Sequence, residues 1–364
     1  MTAPVRTHAV AAWPRSCSID RWYAHAVGKT NVATTSSGLL ASLDVGDRPV
    51  VFVDLDALDD DPGISDNGGR TTVIVVWSAD AECTVPTWAD VAITGLARPA
   101  RPWVGVGGRA EGVAELESAV SEHQQAATVA VQALRTGERL DASRALMVES
   151  MAYGLLQMGD DHRGWLRRHH GRHPADLMTE GTDVLLERTL DELTITFNRP
   201  NRANAFRAET RDALLEGLEL ASLDTSIAVV HLRGRGSTFS SGGDLAEFGT
   251  VADGAVGHLI RSRHNPVRVL ARLLDRSVAH VQGRCIGAGV ELSAACGKVL
   301  AAADTTFALP EVSMGLLPGA GGTWSVPRRI GRKRMTWLTL TGRTIDVGTA
   351  QDWGLVDAVE SADA

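Results

Sequence analysis

The sequence predicts an α/β fold, because runs of strand character recur with helical runs between them and two of those strands lead into glycine-rich turns. A third observation bounds the size. With 364 residues, 44% hydrophobic and 22% charged, the chain suffices for two ordinary globular domains. The order of elements alone leaves the topology open.

Strands are expected first. Residues 39–43, 50–55, 71–77 and 103–106 are short and rich in β-branched and aromatic side chains. Between them, residues 58–69 gather Asp59, Asp60, Asp61, Pro62, Gly68 and Gly69, the composition of an exposed loop and not of a metal site. From about residue 110 the period changes. Val113, Leu116 and Val120, then Val129, Val131 and Leu134, keep near-helical spacing up to a stop at Gly137. A further helix, capped by Asp141 or Ser143, carries Leu146, Met147, Met151, Leu155 and Met158 at helical intervals. That stripe reads as core or subunit interface.

Residues 167–174 are basic and interrupted by Gly171 and Pro174, so they read as a linker. His169 and His173 have the spacing of paired metal ligands, but Gly171 weakens the helix that would align them and no acidic third ligand has a fixed place. No metal is expected. Downstream, residues 184–187 and 193–197 form an expected hairpin, followed by a helix over 208–220 and a strand over 227–232. A glycine-rich loop, a helix, a strand over 277–282, a second glycine turn and a helix starting near Ala288 complete the order.

Composition excludes several classes. The formal charge of −8 argues against nucleic-acid partners, which need a concentrated basic surface. Among 36 basic residues only Lys29, Lys298 and Lys333 are lysines, so arginine would hold any phosphate-bearing ligand. Cys17, Cys83, Cys285 and Cys296 form no CxxC pair and are expected as free thiols. Residues 1–14 lack the apolar run of a signal peptide, and no stretch reaches the ~18 to 20 apolar residues of a membrane span. A cytoplasmic protein without a membrane partner is therefore expected.

The chemistry is concentrated in two turns. Gly287, Ala288, Gly289, Val290 and Glu291 follow a strand and open a helix, yet Leu292 stands where a dinucleotide fingerprint needs its third glycine. What remains is a helix N-terminus whose free N–H groups a ligand can approach, with the helix dipole favouring negative charge. The second turn is Phe239, Ser240, Ser241, Gly242, Gly243 and Asp244, again with little side-chain bulk. Two amides from two such loops converging on one carbonyl oxygen would make an oxyanion hole.

The run 197–205 (FNRPNRANA), the loop 238–245 (TFSSGGDL), the turn 287–292 (GAGVEL), the segment 309–323 (LPEVSMGLLPGAGGT) and the run 340–356 resemble, in order and spacing, the enoyl-CoA hydratase/isomerase or crotonase superfamily. The resemblance covers residues 184–360. It implies a crotonase-like ββα spiral core, preceded by an α/β region ending in helices. It also implies that the Gly243 and Ala288 amides hold the thioester oxygen and that Glu291 and Glu311 are the acid/base pair. Asp244, Leu245 and Ala246, with Ala203 and Ala205, would bind substrate and coenzyme A. The neighbours Val290, Leu309, Val312 and Leu316 are apolar and would raise a carboxyl pKa.

The activity so implied is hydration of a 2-enoyl-CoA to a 3-hydroxyacyl-CoA, or the reverse, through an oxyanion-stabilised enolate. An isomerase, another crotonase-type lyase or hydrolase, and a non-catalytic binding or assembly partner are the rival readings. No cofactor is expected beyond the coenzyme A of the substrate, and the family implies a homo-oligomer, a trimer or hexamer. Many hydratases carry a lysine shortly after the loop aspartate, where this chain has Ala246 and Glu247; Arg202, Arg261 or Arg263 could substitute. Family members also continue beyond the segment like 354–359 with further helices over the acyl pocket. The expected division is 1–178, an N-terminal region whose helices near 110–168 cover the active site, and 179–364, the catalytic core. The first half is expected to be either a shortened, degenerate unit of the same kind or an unrelated α/β domain, and the width of the acyl pocket is expected to depend on loops over 250–261.

Overall fold

A computed structural model describes residues 49–57, 70–169, 181–251 and 253–360. The α/β class holds in both halves. In the first, β1 (Val50–Asp54), β2 (Val73–Trp77), β3 (Val91–Thr94) and β4 (Val104–Gly105) form one parallel sheet in chain order. Strand β3 lies in a stretch where no strand was expected. Alternation sorts the side chains: Phe52, Val73, Val75 and Ile93 face the main core, whereas Val51, Val53, Ile74 and Val76 pack with Trp88 and Trp103 in a smaller one. The strand expected at 39–43, the acidic loop 58–69, Cys17 and His173 lie outside the described residues. Cys285 and Cys296 are buried free thiols, and Cys83 is a half-buried one.

Four helices follow: α1 (Arg109–Glu122), α2 (Gln124–Gly137), α3 (Ala142–Gln157) and α4 (Asp160–His169). Asp141 caps α3, accepting from the Arg144 N–H at 3.0 Å. The Met stripe on α3 has the expected period, but the reading of it as core is corrected. Leu146 is buried, whereas Met147, Met151, Leu155 and Met158 are exposed, the last three along a groove they share with Asp253, Gly254 and Ala255. Helix α4 runs through His169, so the first three residues of the expected linker, 167–169, are helical. The His169 ring stacks on Trp165 and its Nδ1 lies 2.8 Å from the Trp165 carbonyl, an arrangement suited to packing.

The second half opens with the antiparallel hairpin β5 (Val184–Thr189) and β6 (Glu192–Phe197). Strands β7 (Val229–Gly234), β8 (Ser277–Val281), β10 (Lys298–Ala302) and β13 (Ala358–Glu360) extend it in parallel, in the order β13-β10-β8-β7-β6-β5. A smaller sheet holds β9 (Arg284–Ile286), β11 (Thr306–Ala308) and β12 (Ile345–Asp346). The helices are α5 (Ala208–Leu223), α6 (Gly254–Arg263), α7 (Pro266–Leu270), α8 (Ala288–Ala294), α9 (Gly322–Ile330), α10 (Arg332–Thr341) and α11 (Val347–Trp353). Much of residues 250–261, expected as loop, is helix α6; Asp253 caps it by accepting from the Ala255 and Val256 N–H groups.

The halves share one apolar core, with α1 and α2 against α10, and α3 against α6 and α9. A buried ion cluster crosses the same seam. Asp90, fully buried at the start of β3, accepts from Arg135 of α2 at 2.7 Å and from Arg332 of α10 at 3.1 Å, and also from the Ile74 amide at 2.8 Å. Few geometries satisfy a buried carboxylate so completely.

Candidate active site

Two parallel registers bring the chemical segments together. Ala308 at the end of β11 pairs with Ile286 at the end of β9, and the Gly287 amide donates to the Ala308 carbonyl at 2.9 Å. The turns that carry Glu291 and Glu311 therefore start side by side. Ser240 bridges to Cys285, and the Ile286 amide donates to the Ser240 carbonyl at 2.9 Å, which lays the first glycine loop along β9. Small residues are required there. A Cβ at Gly242 would sit 3.1 Å from the Ile286 carbonyl oxygen, and one at Gly287, where φ is +51°, would sit 2.7 Å from Glu311 Oε1.

Gly243, Ala288, Glu291 and Glu311 all line one cavity of about 220 Å³. Among the described residues the Gly243 N–H donates to no backbone acceptor, although its neighbours are engaged: the Asp244 amide donates to the Phe206 carbonyl, and the Gly242 carbonyl accepts from the Phe206 amide. Ala288 is the first residue of α8, so its N–H has no acceptor within the helix. Two residues with unengaged amides thus line the same cavity as two carboxyl-bearing residues.

The carboxyl groups are fixed differently. Glu291 is 2% exposed, and its Oε2 accepts from the Ala320 and Gly322 amides, both at 2.7 Å. Burial pushes its pKa well above the ordinary carboxyl value, and the nearby charges of Glu311 and Glu149 push it further. Glu311 starts a short turn after Pro310; its Oε2 is buried with no hydrogen-bond partner. Burial raises its pKa to about 7. Val290, Leu309, Val312 and Leu316 are fully buried around the pair, as the apolar sequence context suggested.

Two wall residues were not foreseen, and both come from α3. Glu149, 1% exposed, accepts from the Gly321 amide at 2.8 Å, the Thr323 amide at 2.9 Å and the Thr323 hydroxyl at 2.7 Å. Amides 320 and 322 therefore hold Glu291 while amides 321 and 323 hold Glu149, two carboxyl groups at the N-terminal end of α9. Burial raises the Glu149 pKa to about 7 as well. One turn along, Tyr153 lines the cavity, its ring so close that a Cβ at Gly319 would meet it at 2.2 Å. The available signal was polar residues four apart on the helix face opposite the exposed Met stripe.

A second cavity, of about 400 Å³, shares Gly243, Phe248 and Glu311 with the first. Ala205, Asp244 and Leu245 line it, together with Arg202. Ala203 and Ala246 are not among its lining residues. The Ala203 carbonyl instead accepts from the Ser241 amide at 2.9 Å, and the Ala246 amide donates to Asp244 Oδ1 at 3.2 Å. Asp244 is buried and paired with Arg199 at 3.0 Å, so its side chain holds the loop. Of the three arginines considered for phosphate binding, Arg202 lies in this second cavity, Arg261 in the first, and Arg263 is exposed at the end of α6.

Among the described residues no cluster of three metal-ligating side chains occurs, and no helix is long and apolar enough to cross a membrane. A sequence profile described as "Enoyl-CoA hydratase/isomerase" matches residues 192–364. The chain is 32% identical over 183 residues to the 2,3-dehydroadipyl-CoA hydratase of Escherichia coli, covering 50% of this chain and 71% of that protein. It is 34% identical over 168 residues to the 1,2-epoxyphenylacetyl-CoA isomerase of the same organism, covering 45% and 64%. A solved enoyl-CoA hydratase/carnithine racemase from Magnetospirillum magneticum matches at 30% identity with a TM-score of 0.47, over 51% of this chain and 70% of that one.

Proposed function

The chain belongs to the enoyl-CoA hydratase/isomerase family, and from that premise we propose that it hydrates a 2-enoyl-CoA, or dehydrates the 3-hydroxyacyl-CoA in reverse. The observation that carries the reading is the sharing of one cavity by two unengaged amides, Gly243 and Ala288, and two buried carboxyl groups of raised pKa. In the forward direction Glu291 takes a proton from water as its oxygen bonds to the β-carbon. The electrons of the double bond move onto the thioester oxygen, held by the two amides. Glu311 then gives its proton to the α-carbon as the enolate collapses. Water has been added, and one proton has passed from Glu311 to the product while one has arrived on Glu291. Carboxyl groups of raised pKa suit proton transfer to and from carbon and water.

Coenzyme A would enter through the second cavity, along Ala205 and Leu245, with Arg202 at its wall. The first half would complete the site, since α3 supplies Glu149 and Tyr153 to its wall. We read that half as a shortened relative of the catalytic unit. Its parallel strands follow one another in chain order, with no α-helix between them among the described residues, and lead into the helices lying on the first cavity.

Double-bond isomerisation needs one carboxyl group to shuttle a proton, so the presence of two favours hydration. The test is conversion of crotonyl-CoA and longer enoyl-CoAs by the wild type, Glu291→Gln and Glu311→Gln. Each substitution is expected to lower kcat by about 10² to 10⁴, and Glu291→Gln to retain exchange of the α-proton with solvent. Unchanged conversion in both variants contradicts the acid/base assignment; full retention of turnover in Glu291→Gln alone favours the isomerase.

A further inference from the structure

Three hydrogen-bond donors in the wall of the first cavity have acceptor needs that the protein does not meet. Asn265, 7% exposed, uses Oδ1 to cap α7 by accepting from the Val267 amide at 3.0 Å, and its Nδ2 donates to no described residue. The Tyr153 hydroxyl makes no hydrogen bond to a described residue either, and it is not sealed from the cavity. Arg261 is the third. Its Nε is buried without a partner, and its terminal nitrogens reach only Gln157 Oε1 at 3.5 Å and the Ser150 carbonyl at 3.4 Å. The guanidinium carbon lies 4.3 Å from the centre of the Tyr153 ring, so cation and phenol are neighbours.

Charge around this corner is unevenly compensated. Arg207 pairs with Asp183 at 2.7 Å, Arg211 pairs with Asp212 at 2.8 Å, and His264 lies 3.5 Å from the same Asp212. No described carboxylate oxygen comes within 4.0 Å of Arg261. Glu149, Glu291 and Glu247 direct their oxygens at backbone amides, the last at Ala208, while Glu311 faces Gly287. None of Arg261, Tyr153 and Asn265 lines the second cavity.

We propose that Arg261, Tyr153 and Asn265 form a binding corner for a carboxylate, so that the acyl group handled here carries a second acid function, as in a dicarboxylic acyl thioester. The inference rests on the reading that the first cavity receives the acyl group and the second the coenzyme. A carboxylate oxygen would accept from the neutral donors and bring a negative charge closer to Arg261 than Glu149 does, giving charge-assisted bonds to donors that no described residue now accepts from. A methyl-ended chain would leave those donors unpaired, which is the condition under which a polar site rejects an apolar analogue.

The test is calorimetric binding of two saturated five-carbon thioesters, glutaryl-CoA and pentanoyl-CoA, which requires no turnover. Glutaryl-CoA is expected to bind at least ~10-fold more tightly, the scale of one or two charge-assisted hydrogen bonds. Arg261→Gln should remove most of that preference by weakening glutaryl-CoA. Tyr153→Phe, which keeps the ring beneath the guanidinium, should reduce it by about 3- to 10-fold and serves if the arginine variant fails to fold. Equal or weaker binding of glutaryl-CoA to the wild type overturns the inference, as does equal weakening of both ligands in Arg261→Gln, which would assign the arginine to coenzyme phosphates or packing. Failure of the hydratase reading appears separately, as absence of enoyl-CoA turnover with the ligand preference intact.

Discussion

Glu291 and Glu149 take alternate amides of one four-residue stretch, so the orientation of the first is tied to the presence of the second. The negative charge of Glu149 also raises the Glu291 pKa, after the larger effect of burial. Arg261 on α6 and Tyr153 on α3 interact with Glu149, Glu311 interacts with Glu291, and the Glu149 charge also raises the Glu311 pKa. Glu149→Gln keeps an acceptor oxygen but removes the charge, so Glu291 should ionise more easily. We expect the acid limb of kcat/KM for hydration to move to lower pH, with kcat reduced about 10-fold by looser placement of the loop. A uniform fall in rate with no movement of the limb would mean that Glu149 is only a structural tie. Both glutamates proposed as the acid/base pair could be singled out because glycine-rich turns and a Pro-Glu step have a distinctive spacing. Glu149 was not, because a glutamate within a helix is ordinary until the partner of that helix is known.

Among the elements, α3 and β3 show where reading by pattern succeeds and fails. Hydrophobic period located α3, yet it placed the Met stripe inward, since an apolar stripe does not say which neighbour covers it. Strand β3 was missed because four residues, Val91–Thr94, make a run too short to stand out among turns. Its placement depends instead on Asp90, whose ion cluster with Arg135 and Arg332 ties the first sheet to helices from both halves. Removing one partner of such a buried cluster leaves uncompensated charge. Asp90→Asn should therefore lower the free energy of unfolding by about 3 to 5 kcal/mol, read from urea denaturation. A loss below about 1 kcal/mol would show that water reaches the arginines and that the cluster contributes little.

For the whole molecule, the continuous core means that residues of both halves wall the first cavity. Legibility also differed by half. Five spaced motifs made residues 184–360 readable, whereas the first half has no motif to align and only its strand and helix periods could be seen. The buried carboxyl groups carry a consequence for stability. Glu149 and Glu311 have pKa values raised from 4.5 to about 7, so between these values the folded chain binds more protons than the unfolded one. Their contribution is present in full below pH 4.5 and is lost as pH rises through about 7. Stability is therefore expected to fall across that interval, and Glu311→Gln, which cannot ionise, should flatten part of the slope in denaturation curves taken from pH 5 to 8. An identical slope in the variant would place the Glu311 pKa near its ordinary value.

The central claim is that the Gly243 and Ala288 amides hold a thioester oxygen while Glu291 and Glu311 act on the carbons beside it. A structure with a bound acyl-CoA tests it most directly. The account expects the thioester oxygen about 3 Å from both amide nitrogens, with both carboxyl groups turned to the α- and β-carbons. A thioester oxygen bonded to neither amide, or an acyl group out of reach of the two glutamates, would contradict it.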